Sequence, residues 1–271
     1  MSESSEAVLY EVVDGVAVLT LNRPDRLNAW SSAMHKGYYS SLDRAVADPE
    51  VKVIMVTGAG RGFCAGADMD SLQAIGDRDG DTGDDSEATG PTYDATYPMS
   101  LPKPVIAAIN GACAGLGFVH AMAADVRFAA EGAKFTVAFS RRGLIGEHGL
   151  AWTLPRLVGQ SVAADLMLSG RVFLADEAKE LGLVKQVCPR DELIDTAMAY
   201  ARDLADNASP TSMAVMKHQI YTHPALPVAD AMVEANRLMH ESLRRSDFKE
   251  GVASFVEKRP PSFAPYVDGA I

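Results

Sequence analysis

Two glycine-rich segments carry the residue types best suited to holding negative charge with backbone groups. Thr57-Gly58-Ala59-Gly60-Arg61-Gly62-Phe63-Cys64 follows one apolar run, and Gly115-Leu116-Gly117 follows another. A turn that enters a helix leaves N–H groups without helical acceptors, and the helix dipole adds positive potential there. A dinucleotide phosphate is one anion such turns bind, but neither segment keeps the required pattern. Cys64 stands where a TGxxxGxG turn needs its last glycine, and His120 stands where GxGxxG needs its third. No Tyr has a Lys four residues on, and neither GxxxxGK[ST] nor GxSxG occurs. Two such turns brought together can instead form an oxyanion hole, in which amides hold a carbonyl oxygen as it gains charge. The plainer alternative is that both are tight connections that need glycine for its backbone freedom.

The surrounding pattern positions these turns. Val8–Val13 and Val16–Leu21 are β-rich runs joined by Asp14-Gly15, a strong hairpin signal. Ser31 can cap a helix running to Ala47, and the apolar run 51–56 reads as a strand buried on both faces. A short helix is expected from Asp68. Residues 104–109 predict a second buried strand, followed by an Ala-rich helix over 117–124 and short strands at 125–129 and 183–187. Strands alternating with helices predict an α/β domain with parallel strands. Beyond Pro189 the β signal ends, and helices are expected over 191–207, 210–221, 227–243 and 247–258. No internal repeat is evident. The apolar surplus of the last helices, including Leu238, Leu243, Phe248, Val252 and Phe255, suggests a subunit interface.

Charge excludes other functions. Lys and Arg number 25 against 36 Asp and Glu, a net −11, so the basic footprint of a nucleic-acid binder is missing. Seven of the acids lie between Asp77 and Asp94, against Arg78 alone, which predicts a solvated, mobile loop; its spacing does not continue into a calcium loop. Cys64, Cys113 and Cys188 are far apart and predict buried thiols rather than a zinc site or a disulfide framework. Without a basic leader or a long apolar window, a cytoplasmic address and no membrane contact are expected.

The segments Gly62-Phe63-Cys64-Ala65-Gly66-Ala67-Asp68 and Lys103-Pro104-Val105-Ile106-Ala107-Ala108-Ile109-Asn110-Gly111, continuing to Gly115 and Gly117, resemble the two signature segments of the crotonase (enoyl-CoA hydratase/isomerase) family. Asn22-Arg23-Pro24 with Leu27-Asn28-Ala29, then Leu154 to Gly159, then Lys249 to Arg259 resemble its start, middle and end, so the similarity covers nearly the whole chain. The resemblance implies an α/β fold with a crotonase-like ββα spiral core over 1–190. It implies a helical trimerisation region over 191–271, hence a homotrimer or a dimer of trimers. It also implies an acyl-CoA substrate, an enzyme of fatty-acid metabolism, and neither a metal nor a separate cofactor.

Residue by residue, the resemblance places the oxyanion amides at Ala65 and Leu116. The two glutamates of the family's hydratases match Val119 and Phe139, neither of which titrates. The carboxylate of its isomerases matches Glu147, which would carry a proton between two acyl carbons, with His148 orienting it or activating water. A plainer reading of Glu147 is an exposed acid at a helix start, favourable to the helix dipole. CoA would lie near Arg26, Leu27 and Ala29, with Ala65 and Asp68 beside the first turn, and Phe255 and Lys258 would reach a neighbouring subunit's CoA. His120 reads as a core histidine satisfied by local hydrogen bonds. Hydration with an unusual base set, or CoA binding without catalysis, are the competing functions, and the stretch 75–98 would shape the acyl pocket.

Overall fold

The computed structural model describes residues 6–68, 94–266 and 269. The expected helix after Asp68 and the acidic loop, apart from Asp94, fall outside them, as does most of 75–98.

A hairpin of β1 (Val8–Val13) and β2 (Val16–Leu21) opens the chain. Asp14 and Gly15 both take positive φ, 50° and 75°, the backbone a two-residue turn matched to strand twist requires. Helix α1 (Ser32–Ala47) follows, with the Ser31 hydroxyl accepting from the Met34 amide. Strands β3 (Val53–Gly58), β5 (Val105–Ile109), β7 (Val126–Ala130) and β10 (Gln186–Cys188) then extend the sheet in parallel, giving the order β1-β2-β3-β5-β7-β10. Every residue of β3 and β5 is buried, which accounts for their unbroken apolar sequences.

A second sheet runs β4-β6-β8-β9, from β4 (Gly62–Cys64), β6 (Ala112–Ala114), β8 (Lys134–Thr136) and β9 (Phe173–Leu174). Three successive units, β3-β4, β5-β6 and β7-β8, each give one strand to each sheet. This is a structural repeat without a visible sequence repeat, because the second strand of each unit is only three residues long. In the second unit, what reads in sequence as strand, turn and helix is thus strand, short strand, turn and helix.

Short helices α2 (Tyr97–Ser100) and α3 (Leu116–Met122) precede β5 and β7. Helix α4 (Leu150–Ser169) and the short α5 (Ala175–Glu180) lie between β8 and β10. The core on one sheet face gathers α1, α3 and the second sheet around Tyr38, Phe63 and Phe118. The other face is sealed by α6 (Leu193–Asn207), whose Leu193, Ala197 and Ala201 pack on Met55, Ile106 and Phe128. The first helix after residue 190 therefore shares the sheet's core. Helices α7 (Pro210–Thr222), α8 (Val228–Ser242) and α9 (Ser246–Glu257) complete the chain. Among the described residues no helix is long and apolar enough to cross a membrane.

Candidate active site

The first turn leaves β4 at Cys64 and is clamped by the segment before α1. Asn28 is fully buried, and its Nδ2 donates to the carbonyls of Ala59 at 3.0 Å and Gly62 at 2.8 Å. Its Oδ1 accepts from the Arg23 amide at 2.8 Å. The Ala65 amide donates to the Leu27 carbonyl at 3.0 Å. Ala65, expected to supply an oxyanion donor, thus has its N–H already committed within the fold. Two residues on, Ala67 forms a parallel bridge with Trp30: the Trp30 amide donates to the Gly66 carbonyl at 2.7 Å, and the Asp68 amide to the Trp30 carbonyl at 3.0 Å. Among the described residues no acceptor meets the Ala67 amide. Because a peptide is trans, pinning the Gly66 carbonyl aims the Ala67 N–H of the same unit the opposite way.

The second turn joins β6 to α3 through Gly115, with φ 49° and ψ −118°, a conformation open to glycine alone. Leu116 is the first helical residue, so its amide has no acceptor within the helix. The carbonyl of that peptide, Gly115 O, accepts from the Val119 amide at 3.0 Å. A Cβ on Gly117 would stand 2.1 Å from the Cys64 carbonyl oxygen, so glycine is what lets α3 seat on the first turn. Gly66 and Gly115 touch as well. The structure thus brings two partner-free amides, Ala67 and Leu116, onto adjoining turns, which is the arrangement an anionic oxygen needs.

Val119 and Phe139 are both buried in the core, so no titratable side chain occupies either position. Glu147 is half-buried on the exposed stretch 141–149, with its Oε2 3.6 Å from His148 Nε2. His148 lies near enough to His35 and His120 for its positive form to disfavour theirs. His120 is on α3, one turn beyond Leu116, so the electrostatic reach of the Glu147-His148 pair extends to the helix that starts at the second turn. His120 is buried, with Nδ1 2.8 Å from the Leu116 carbonyl and Nε2 3.2 Å from the Tyr39 hydroxyl; desolvation carries its pKa down to about 3, so it is neutral. It is the satisfied core histidine expected.

Arg26 is exposed, and Leu27 and Ala29 are half-buried, on a turn where Leu27 and Asn28 take φ of 49° and 56°. Asp68 is buried, its Oδ2 2.7 Å from Arg23 Nη2, while Arg23 Nη1 donates to the Ala29 carbonyl at 2.7 Å. Its carboxylate therefore braces the turn from inside. Phe255 is 85% exposed on α9, and Lys258 ends that helix in a left-handed conformation, φ 54°. Phe255 lines a cavity among the C-terminal helices. All three cysteines are buried free thiols, and burial pushes Cys64 up to about 12.

Sequence reasoning overlooked Asn28, Arg23 and Trp30 as the residues that hold the first turn. Two cavities stand out. One of about 580 Å³ lies among α7, α8 and α9, with Met213, Leu243, Phe248 and Phe255 in its wall and no residue of either turn. Another of about 430 Å³ is lined by Thr96, Met99, Leu101, Gly149, Trp152 and Tyr221, beside the Glu147 segment. Among the described residues no group of His, Cys, Asp and Glu could hold a metal ion.

Comparison with known proteins identifies the family. A sequence model of the family described as enoyl-CoA hydratase/isomerase matches residues 11–265. The chain is 38% identical over 265 residues to a 1,2-epoxyphenylacetyl-CoA isomerase of Escherichia coli, covering 95% of this chain and 98% of that protein. A crystal structure of an enoyl-CoA hydratase from Mycobacterium marinum is 48% identical with a TM-score of 0.70, covering 82% of this chain and 100% of the other. That of a probable enoyl-CoA hydratase/isomerase from Mycobacterium abscessus is 32% identical with a TM-score of 0.85, covering 96% and 99%. With the crotonase fold, the paired turns and a family match spanning nearly its full length, the chain belongs to the enoyl-CoA hydratase/isomerase family of enzymes.

Proposed function

We propose that the protein holds an acyl-CoA thioester oxygen between the amides of Ala67 and Leu116 and moves a double bond with Glu147 as the proton carrier. The observation that carries this reading is the pairing of two partner-free amides on touching turns with non-titrating Val119 and Phe139 and a half-buried Glu147 beside His148, which is within electrostatic reach of His120 on α3. As a proton leaves the α-carbon, charge builds on the thioester oxygen. Fixed amides stabilise that charge without reorganising, each worth roughly 3 kcal/mol. One carboxylate suffices to take the proton from one carbon and return it to another, whereas adding water across the bond needs a positioned water and a second proton transfer. Arg26, Leu27 and Ala29 offer a rim for the CoA, and Lys258 and Phe255 would complete it from a neighbouring subunit of a trimer.

The Escherichia coli relative, named for an epoxide isomerisation on a phenylacetyl thioester, favours a second substrate class for the same site. The test is to assay turnover of a 3-enoyl-CoA, crotonyl-CoA and 1,2-epoxyphenylacetyl-CoA side by side. Conversion of a 3-enoyl-CoA or the epoxide, with weak hydration of crotonyl-CoA, is expected. Hydration as the dominant activity would overturn the reading.

A further inference from the structure

Trp30 and His120 form a buried pair that the proposed chemistry does not use. Their rings stack with centroids 3.7 Å apart and planes inclined by 27°. Each is tied by a hydrogen bond to a different one of the two turns. The Trp30 amide donates to the Gly66 carbonyl, the other end of the peptide that carries the Ala67 N–H. On the other side, His120 Nδ1 lies 2.8 Å from the Leu116 carbonyl. A carbonyl only accepts, so Nδ1 carries the proton, and Nε2 is left as an acceptor facing the Tyr39 hydroxyl at 3.2 Å. That hydroxyl also lies 2.9 Å from the Asp94 carbonyl, so its single proton serves either that oxygen or Nε2. Tyr38 packs edge-on against both rings, with centroids 5.3 Å from Trp30 and 5.4 Å from His120.

We infer that the Trp30–His120 stack sets the distance between the two amide donors, making both residues positioning residues for the thioester oxygen. The inference rests on the oxyanion reading above. Trp30 holds the plane of the Gly66-Ala67 peptide, and His120 holds the carbonyl of Leu116. Contact between the two rings turns these separate restraints into one. A shift of either ring moves one donor relative to the other, and oxyanion stabilisation depends on both donors meeting one oxygen. Burial keeps His120 neutral, so this restraint persists at ordinary pH.

The test reads the thioester carbonyl directly. Butyryl-CoA, isotope-labelled at that carbonyl, is bound to the purified enzyme, and its stretching frequency is compared with that in water by infrared difference spectroscopy. The parent protein is expected to lower the frequency. Trp30→Leu, which removes the ring face, and His120→Phe, which keeps a ring but loses the bond to Leu116, should each shrink that shift. Both should lower kcat by about tenfold or more with KM little changed. Trp30→Phe restores a ring and should recover most of the shift, and if Trp30→Leu does not fold, His120→Phe carries the test. A full shift and full kcat in folded Trp30→Leu and His120→Phe, with only a lower Tm, would overturn the positioning role. If the parent itself leaves the carbonyl unshifted, the oxyanion reading fails first, and this inference falls with it.

Discussion

Gly66 and Gly115 lie against each other: a Cβ on Gly66 would stand 3.1 Å from the Ala114 carbonyl oxygen and 3.8 Å from the Gly115 Cα. Each glycine immediately precedes a partner-free amide, so this contact joins the two proposed donors. Gly115 also has φ 49° and ψ −118°, which an alanine would adopt only under strain. Gly115→Ala should cost about 2 kcal/mol of stability and displace the Leu116 amide, lowering kcat by about 10²-fold. Gly132, at φ 71° with open space around it, is the control. Gly132→Ala should lose about 1 kcal/mol and keep its turnover. Equal turnover losses in the two variants would show that backbone strain, not donor placement, is what matters.

Acid should weaken the fold through His120. Its folded pKa of about 3 lies below the unfolded value near 6.5. Between these values the unfolded chain binds the extra proton and the folded one does not, so stability falls as pH drops through that window. This group alone contributes a loss of about 1.4 kcal/mol per pH unit. Denaturant titrations at pH 7, 6, 5 and 4 measure the slope in the parent and in His120→Phe. The variant should lose about one proton's worth of that slope. An unchanged slope would mean that His120 does not titrate as its burial requires.

Arg23 and Asp68 brace the first turn from within. Their ion pair, 2.7 Å long, is mostly buried on the Asp68 side. Arg23→Leu removes the cation from a buried carboxylate and should cost about 2 kcal/mol. The Ala29 carbonyl loses its donor in the same variant, which loosens the turn that carries Leu27. CoA affinity should therefore fall along with Tm, as read by calorimetry. Loss of stability with affinity intact would separate this brace from the proposed CoA rim.

The apolar face of α8 and α9 bears on the proposed homotrimer. Phe255, Val256 and Val233 are more than two-thirds exposed on one chain, an arrangement that asks for a covering partner. Light scattering should give about three or six times the 28.9 kDa chain mass. Phe255→Asp should reduce it toward a monomer and raise KM for acyl-CoA, because Lys258 would no longer reach a neighbour's ligand. A monomeric parent with full turnover would contradict both the interface and that role for Lys258.

The hairpin at Asp14-Gly15 and the Ser31 cap were legible because short-range backbone chemistry decides them. The long apolar strands were legible because the sheet buries both faces. The three-residue strands Gly62–Cys64, Ala112–Ala114 and Lys134–Thr136 are too short to show a period. Helix Leu150–Ser169 is interrupted by Pro155 and by non-helical Gly159, which breaks its pattern in sequence. The family resemblance located the turn, but the amide it pointed to, that of Ala65, is bonded to the Leu27 carbonyl. Whether Ala65 or Ala67 has a free amide depends on the Leu27 carbonyl, 38 residues before Ala65 in the chain, and on the bridge to Trp30. Likewise, Asn28 reaches acceptors 31 and 34 residues away, a role no local pattern reveals.

Glu147 as proton carrier is the central claim, and isotope transfer tests it most directly. A 3-enoyl-CoA deuterated at C2 is incubated with the parent enzyme and with Glu147→Gln, and mass spectrometry follows both isomerisation and the label. A single carboxylate that lifts one deuteron from C2 and returns it at C4 should place part of the abstracted deuterium at C4 of the product, whereas the other C2 deuteron stays at C2 by any route. Glu147→Gln, equal in size but unable to accept a proton, should be slower by about 10²-fold or more, with CoA affinity essentially unchanged. Parent-like isomerisation and label transfer in folded Glu147→Gln would contradict the claim.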